Sequence, residues 1–419
     1  MQTNIFDYGM NGEGVGKIDN KITLVPYALN NETVDVSIIK SFNNYSEAEL
    51  NSIIVESKNR QTPPCPYFYT CGGCDIQHMN YSEQLNFKTT LVKKTIKKIA
   101  GIEFNVAKTV ASDSVCQYRN KASFNILNKQ SGFFKEKSKD IIDVENCLIC
   151  SNNINKIHKL FRSYIKNNSS TTSNIKNLVI RDIENQILVG IVTKKEIDLS
   201  TFYKQLNTNF TNIGLYQIVN TRKDSVVLSG KVIHVDGLKE IKINNFGLTY
   251  FVDLIGFHQT NENIQNKLYN HVLQYILPND IVINGFSGQG LLSAILASKA
   301  KKVIGIEIVK NSHISAEKLK ADNNINNMHN VLGDFNLKVK DYLNTASTLI
   351  LDPSKKGCGK EVLKNIIGIK NIIYISCNPI ALAKDLNILK DNYIIEEIVP
   401  FDMFPNTKNV ETFVKLKIK

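Results

Sequence analysis

Cys377 stands in Ser376-Cys377-Asn378-Pro379, directly after the apolar run Ile372-Ile373-Tyr374-Ile375. A short apolar run that ends in a small polar turn predicts a buried parallel strand. The C-terminal tip of such a strand is where open α/β sheets place their chemistry. From Pro379 to Leu389 the spacing becomes helical, with Leu382, Leu386 and Leu389 on one face and Pro379 at the start. A thiol at that tip can act as a nucleophile. Free cysteines are also among the most buried residues, so the position suits a packing role equally well.

A second group of thiols lies far upstream. Cys65, Cys71 and Cys74 are spaced C-x5-C-x2-C, and Cys147 or Cys150 in Cys147-Leu148-Ile149-Cys150 can close a tetrad from a distance. Three nearby cysteines plus a remote one follow the pattern of iron–sulfur ligation. Gly72 and Gly73 let the backbone fold tightly there, and their amides can hydrogen-bond to cluster sulfurs. Structural zinc is the competing reading, with His78 as one further ligand.

The elements that must position these groups fall into three parts: 1–58, 59–240 and 241–419. The first is predicted as a small β-barrel, from the runs Lys21 to Tyr27 and Glu32 to Ile39 set between Gly-rich and Asn-rich turns. Such barrels are common nucleic-acid platforms. Ser82 to Ala100 predicts a basic amphipathic helix, and Tyr118-Arg119-Asn120-Lys121 mixes base-stacking and phosphate-binding side chains, with Arg119 and Lys121 as RNA-contact candidates. From about Ile241 strands alternate with helices. Asp280 to Ile283 leads through Asn284-Gly285-Phe286-Ser287-Gly288-Gln289-Gly290 into a helix, then a strand that ends in Glu307. That order brings a nucleoside cofactor close to backbone while the carboxylate accepts from ribose hydroxyls. The loop is shorter than a full G-x-G-x-x-G and suits S-adenosylmethionine better than a dinucleotide. Asp334 and Asp352 close two further strands on the same edge, as site residues or as turn residues.

The chain of 419 residues is long enough for two or three cores, and 51 Lys and Arg against 39 Asp and Glu give a net charge of +12. That balance favours a polyanionic partner. No apolar stretch is long enough to span a bilayer, and the first residues carry no basic signal-peptide region, so a cytoplasmic location is expected. In that compartment the eight cysteines are not expected to form a disulfide framework.

Taken together, the chain resembles the S-adenosylmethionine-dependent RNA uracil-5 methyltransferases, most nearly the iron–sulfur branch acting on bacterial 23S ribosomal RNA. The resemblance rests on Cys65…Cys71-Gly72-Gly73-Cys74-Asp75-Ile76-Gln77-His78, Tyr118-Arg119-Asn120-Lys121, Phe257-His258-Gln259-Thr260-Asn261, Asp352-Pro353, Ser376-Cys377-Asn378-Pro379, and Asp402 to Thr407 with Val410-Glu411-Thr412. It implies an α/β, Rossmann-like methyltransferase domain with an N-terminal TRAM or OB-like barrel and a central α+β iron–sulfur domain, the helix near 82–100 packing on the catalytic domain. It implies Cys377 as nucleophile and Glu411 as proton acceptor, Gln259, Phe286, Gly288, Glu307 and Asp352 toward the methyl donor with Asp334 on the adenosine side, and Cys65, Cys71, Cys74 and Cys147 as ligands of a [4Fe-4S] cluster. The implied partner is 23S rRNA and the implied state a monomer. Asn284, His258, Ser354-Lys355 and Asn409 depart from the family pattern, and Cys116, Cys150 and Cys358 receive no role. A transfer RNA methyltransferase and a non-catalytic RNA-binding factor are the alternative expectations. A cysteine cluster with a TRAM-like barrel is read as favouring ribosomal over transfer RNA.

Overall fold

The computed structural model describes residues 1–136, 138–168 and 172–419. The strands Gln2–Asn4, Asp7–Tyr8, Gly14–Ile18, Lys21–Val25, Thr33–Ser41 and Tyr45–Val55 form one sheet, in the spatial order first, fifth, sixth, fourth, third, second. The sheet curls until its ends meet. The Thr3 hydroxyl donates to the Lys17 carbonyl at 3.0 Å and accepts from the Lys17 amide at 3.1 Å. A Cβ at Gly16 would lie 2.7 Å from that hydroxyl, so the closure needs glycine there. Val25, Val34, Val36 and Ala48 fill the interior.

The helix Tyr81–Ala100 begins where the Asn80 side chain accepts from the Glu83 amide and ends at Gly101, whose φ is 67°. Its apolar stripe, Val92, Ile96 and Ala100, shares a core with Leu382, Leu386 and Leu389 of the helix Pro379–Leu389. The helix therefore layers onto the C-terminal domain. The segment after it continues there, the Ala107 amide donating to Ile398 O at 3.0 Å and the Val110 amide to Pro400 O at 2.8 Å.

Residues from Lys121 to Gly237 build a second sheet, in the order Lys231–Gly237, Ile213–Val219, Gln186–Thr193, Ile175–Ile183, Lys121–Leu127, Gln130–Phe134 and Ile141–Asp143. The helices Asn152–Asn167 and Ser200–Asn209 cover one face through Phe161, Phe202 and Leu206.

The third sheet runs Met328–Leu332, Lys302–Glu307, Ile281–Gly285, Thr348–Leu351, Asn371–Ser376, Glu411–Ile418 and Tyr393–Phe401. The first five strands are parallel, and Glu411–Ile418 is antiparallel to Asn371–Ser376. Helices cover both faces of the parallel strands, which explains their continuous apolar runs in place of alternation. The strand order reverses between Ile281–Gly285 and Thr348–Leu351, and the crevice outside their C-terminal ends is where such sheets bind ligands. Among the described residues no helix is long and apolar enough to cross a membrane.

Candidate active site and cysteine cavity

Ser376 pairs with Thr412 across the antiparallel strands, and this is the last pair in the ladder. One step further in the same register stand Cys377 and Glu411, at the adjacent ends of these two strands. Asn378 caps the following helix, its side chain accepting from the Ile380 amide at 3.0 Å, so the backbone turns sharply just after the thiol. Tip, turn and helix start thus present Cys377 at the mouth of the crevice.

Cys377, Glu411 and Asp352 line one cavity of about 750 Å3, with Gln259, Phe286, Gly288 and Glu307 along its other arm. Burial pushes the Cys377 thiol up to about 11; Glu411 and Asp352 add to the rise, and Lys355 opposes it. Burial also raises the carboxyls: Asp352 reaches about 7, and Glu411 goes well above the usual carboxylate range, with the charge of Asp352 as a further cause. Tyr269, from the helix Glu262–Gln274, lines the same cavity and feels both acids. A thiol that can add to an electrophilic carbon therefore sits beside a base of high proton affinity.

The other arm is built by the strand, loop and helix around Gly288. Each oxygen of the Glu307 carboxylate accepts one backbone amide, Gly288 N at 2.8 Å and Val309 N at 2.7 Å. Lone pairs remain on both oxygens for ligand hydroxyls. Phe286 holds a φ of 60° and its ring meets Phe335 at 4.9 Å. Among the described residues Thr260 Oγ1 and Asn284 Oδ1 find no hydrogen-bond partner; both are buried, on residues that line the cavity. Such atoms call for a polar ligand. The Asn284 amide nitrogen donates to Ser293 Oγ at 2.8 Å, which ties the strand to the helix behind the loop.

Two expected residues are placed elsewhere. Asp334 is absent from the cavity lining; it caps the helix Phe335–Lys338, accepting from the Asn336 amide at 2.8 Å. Lys121 donates to the Leu254 carbonyl at 3.0 Å, and burial with the Arg181 charge lowers it to about 7. It supports the 253–257 loop from the sheet face opposite the one on which Ala122, Phe124 and Ile126 are buried. Arg119 lines both the large cavity and a second one, as does Gly73.

That second cavity, of about 330 Å3, is lined by Cys65, Cys71, Cys74, Cys147 and Cys150. Burial raises Cys65, Cys71 and Cys74, the last to about 12, whereas a hydrogen bond from Cys150 holds Cys147 down at about 6. Among the described residues no group of three or more His, Cys, Asp or Glu side chains is placed to hold a metal ion. His78 packs against Tyr27 and Phe68 and is absent from the cavity lining. The cysteine loop is also bonded to the C-terminal domain, the Asp75 and Ile76 amides both donating to the Asn406 carbonyl at 3.1 Å. Cys116 lies apart from both cavities, and Cys358 lies in the turn that carries Lys355, its amide donating to Asp385.

Comparison with known proteins agrees with this architecture. Residues 80–419 match the family model described as tRNA (Uracil-5-)-methyltransferase, and residues 5–50 match the TRAM domain. The chain belongs to the tRNA (uracil-5-)-methyltransferase family. It is an RNA uracil-5 methyltransferase that uses S-adenosylmethionine, with an N-terminal TRAM domain. It is 33% identical to an uncharacterized RNA methyltransferase of Clostridium tetani, covering 97% of this chain and 94% of that one. A further uncharacterized RNA methyltransferase, from Listeria innocua, is 30% identical and covers 100% of this chain and 98% of its own. Among solved structures, the Pyrococcus abyssi tRNA (uracil-54, C5)-methyltransferase in complex with S-adenosyl-L-homocysteine has the same fold. Its TM-score is 0.80 at 24% identity, over 99% of both chains.

Tyr269 and the double placement of Arg119 were not visible as site features in the sequence, and Lys355 entered only as a departure from the family pattern. Tyr269 reads as one more apolar position of an amphipathic helix, and only the packing of that helix under the sheet edge brings it to the acids.

Proposed function

We propose that the enzyme methylates C5 of a uridine in 23S rRNA through a covalent intermediate on Cys377. The observation that carries the mechanism is the opposition of Cys377 and Glu411 in one cavity with the Glu307 and Gly288 arm. C5 of uracil is a weak nucleophile. Addition of the Cys377 thiolate to C6 moves electrons onto C4–O as an enolate, and C5 then attacks the sulfonium methyl, releasing S-adenosylhomocysteine. Glu411 takes the C5 proton, and the C6–S bond breaks to return the thiolate. Burial holds the thiol near 11, so positive charge beside it favours the thiolate, and the sulfonium donor brings one. Gln259, Phe286, Gly288, Glu307 and Asp352 are assigned to the donor, and Arg119 to RNA. Because C6 is covered in stacked RNA, the base must be turned out or offered from a loop.

Of the five thiols that line the second cavity, with Gly72 and Gly73 beside them, Cys65, Cys71, Cys74 and Cys147 have the chemistry of a [4Fe-4S] donor set and would hold such a cluster. When bound, the cluster would crosslink the loop at 65–74 to the central sheet; the methyl transfer itself needs no electron. Iron and acid-labile sulfide counts on anaerobically purified protein test this.

Transfer RNA is the second reading. The Pyrococcus abyssi protein named for tRNA shares the fold along its whole length, so the barrel and central domain do not separate the two substrates. Mapping 5-methyluridine in both RNAs with and without the enzyme decides. Loss confined to tRNA overturns the ribosomal assignment. Failure of 5-fluorouridine RNA to form a Cys377-dependent adduct overturns the covalent mechanism.

A further inference from the structure

Asp385 lies on the otherwise apolar inner face of the helix Pro379–Leu389, beside Leu382 and Leu386, and is only 4% exposed. A buried carboxylate among leucines is unfavourable unless its oxygens are bonded. Here one oxygen, Oδ2, accepts from the Tyr374 hydroxyl at 2.5 Å and from the Cys358 amide at 2.8 Å. Tyr374 is on the strand that ends at Ser376, one residue before Cys377, and Cys358 is in the turn that follows Asp352-Pro353. That turn is closed by the Gly357 amide donating to Ser354 O at 2.9 Å. It sits directly on the carboxylate: a Cβ at Gly357, whose φ is +79°, would lie 2.7 Å from Asp385 Oδ2.

The same turn carries Lys355. Its carbonyl accepts from Asn378 Nδ2 at 2.8 Å, and Asn378 is the residue next to Cys377. Lys355 lines the large cavity together with Cys377. The charged groups that act on the Cys377 thiol are Glu411 and Asp352, both acidic, and Lys355, the one cation of the three. Loss of Lys355 from its place would leave a thiolate facing two carboxylates.

We propose that Asp385 is a positioning residue: by gripping the turn 354–359 it holds the Lys355 ammonium beside Cys377, where it offsets the negative charge of the thiolate. This rests on the reading of Cys377 as the nucleophile. It assigns a role to the buried acid and to the lysine that stands where the family pattern has arginine.

The test is the pH dependence of Cys377 alkylation by iodoacetamide, followed by mass spectrometry of the Cys377 peptide in full-length protein, alongside kcat and KM. Asp385→Ala and Lys355→Met are each expected to move the alkylation midpoint upward by about half to one pH unit. Each should lower kcat by about tenfold with little change in KM for the donor. The double variant should be no worse than either single one, because the two residues act in series. Asp385→Asn keeps the shape and one acceptor oxygen, so it should give part of the shift, and it replaces the alanine variant should that one fail to fold. A wild-type alkylation profile in folded Asp385→Asn or in Lys355→Met, or full additivity in the double variant, overturns the proposal. If Cys377→Ala retains wild-type activity, the reading of the nucleophile fails instead; if that variant is inactive and the profiles stay put, only the role of Asp385 fails.

Discussion

Glu411 faces Cys377 across an antiparallel strand pair, one residue past the last paired position, Ser376 with Thr412. This register joins a sequence signal at residue 377 to one that lies 34 positions later, counting 411 − 377. It is also the first of the two antiparallel pairings in the C-terminal sheet, so Glu411 enters the site from a strand running opposite to the five parallel ones.

If Glu411 removes the C5 proton, its loss should stop the reaction after methyl transfer. Glu411→Gln is expected to lower turnover by about 10²- to 10⁴-fold while a covalent RNA complex accumulates on denaturing gels. The thiol of this variant should also titrate lower than in wild type, because the charge of Glu411 is one cause of its raised value. An inactive variant that forms no complex would assign Glu411 to an earlier step.

Asp352 makes stability depend on pH in a stated direction. Its folded value is raised to about 7 by burial, above that of an unfolded aspartate. Between about pH 4 and 7 the native state therefore holds more protons than the unfolded one, and stability falls as pH rises through that window. Below it both states are protonated and nothing is lost. Asp352→Asn should be more stable than wild type by about 2–4 kcal/mol at pH 8 and equal to it near pH 4, as read from urea unfolding.

Lys88 and Asp402 form an ion pair in which neither side chain is exposed. Burial pulls Lys88 down and the aspartate pushes it back up, while the ammonium also donates to the Phe404 carbonyl at 3.0 Å and Tyr81 donates to Asp402 at 2.9 Å. Removing one partner strands a buried charge. Lys88→Met or Asp402→Leu should each cost about 3–5 kcal/mol of unfolding free energy, and the double replacement much less than their sum.

The cysteine loop should influence the base at a distance. Asp75 and Ile76 hold the Asn406 carbonyl, and Asp75 also accepts from the Lys408 amide at 3.1 Å, three residues before Glu411. Cys74→Ser is expected to lower kcat by about tenfold or more with donor affinity changed less than threefold, as read by calorimetry with S-adenosylhomocysteine. A loss of donor affinity equal to the loss of kcat would show a general disruption instead.

Much of the catalytic sheet was legible from residues alone. The runs around Val282, Val303, Leu349 and Ile373 are short and apolar because each strand is covered on both faces, and the helix from Pro379 to Leu389 carries its own start signal and ends where expected. The helix at 81–100 was equally clear, but its partner on the catalytic domain came from the family resemblance, since an amphipathic face says that something covers it without saying what.

The sequence by itself determined which residue types could do chemistry, because a thiol in Ser-Cys-Asn-Pro after an apolar run and three close cysteines announce themselves through local spacing. Only the tertiary structure decided what each group faces. It put Glu411 across from Cys377, turned Asp334 into a cap and Lys121 into an internal support, and set Lys355 on a turn gripped by Asp385. Local spacing follows from backbone geometry within a few residues, whereas burial, charge and opposition arise between segments brought together by the packing of the whole chain.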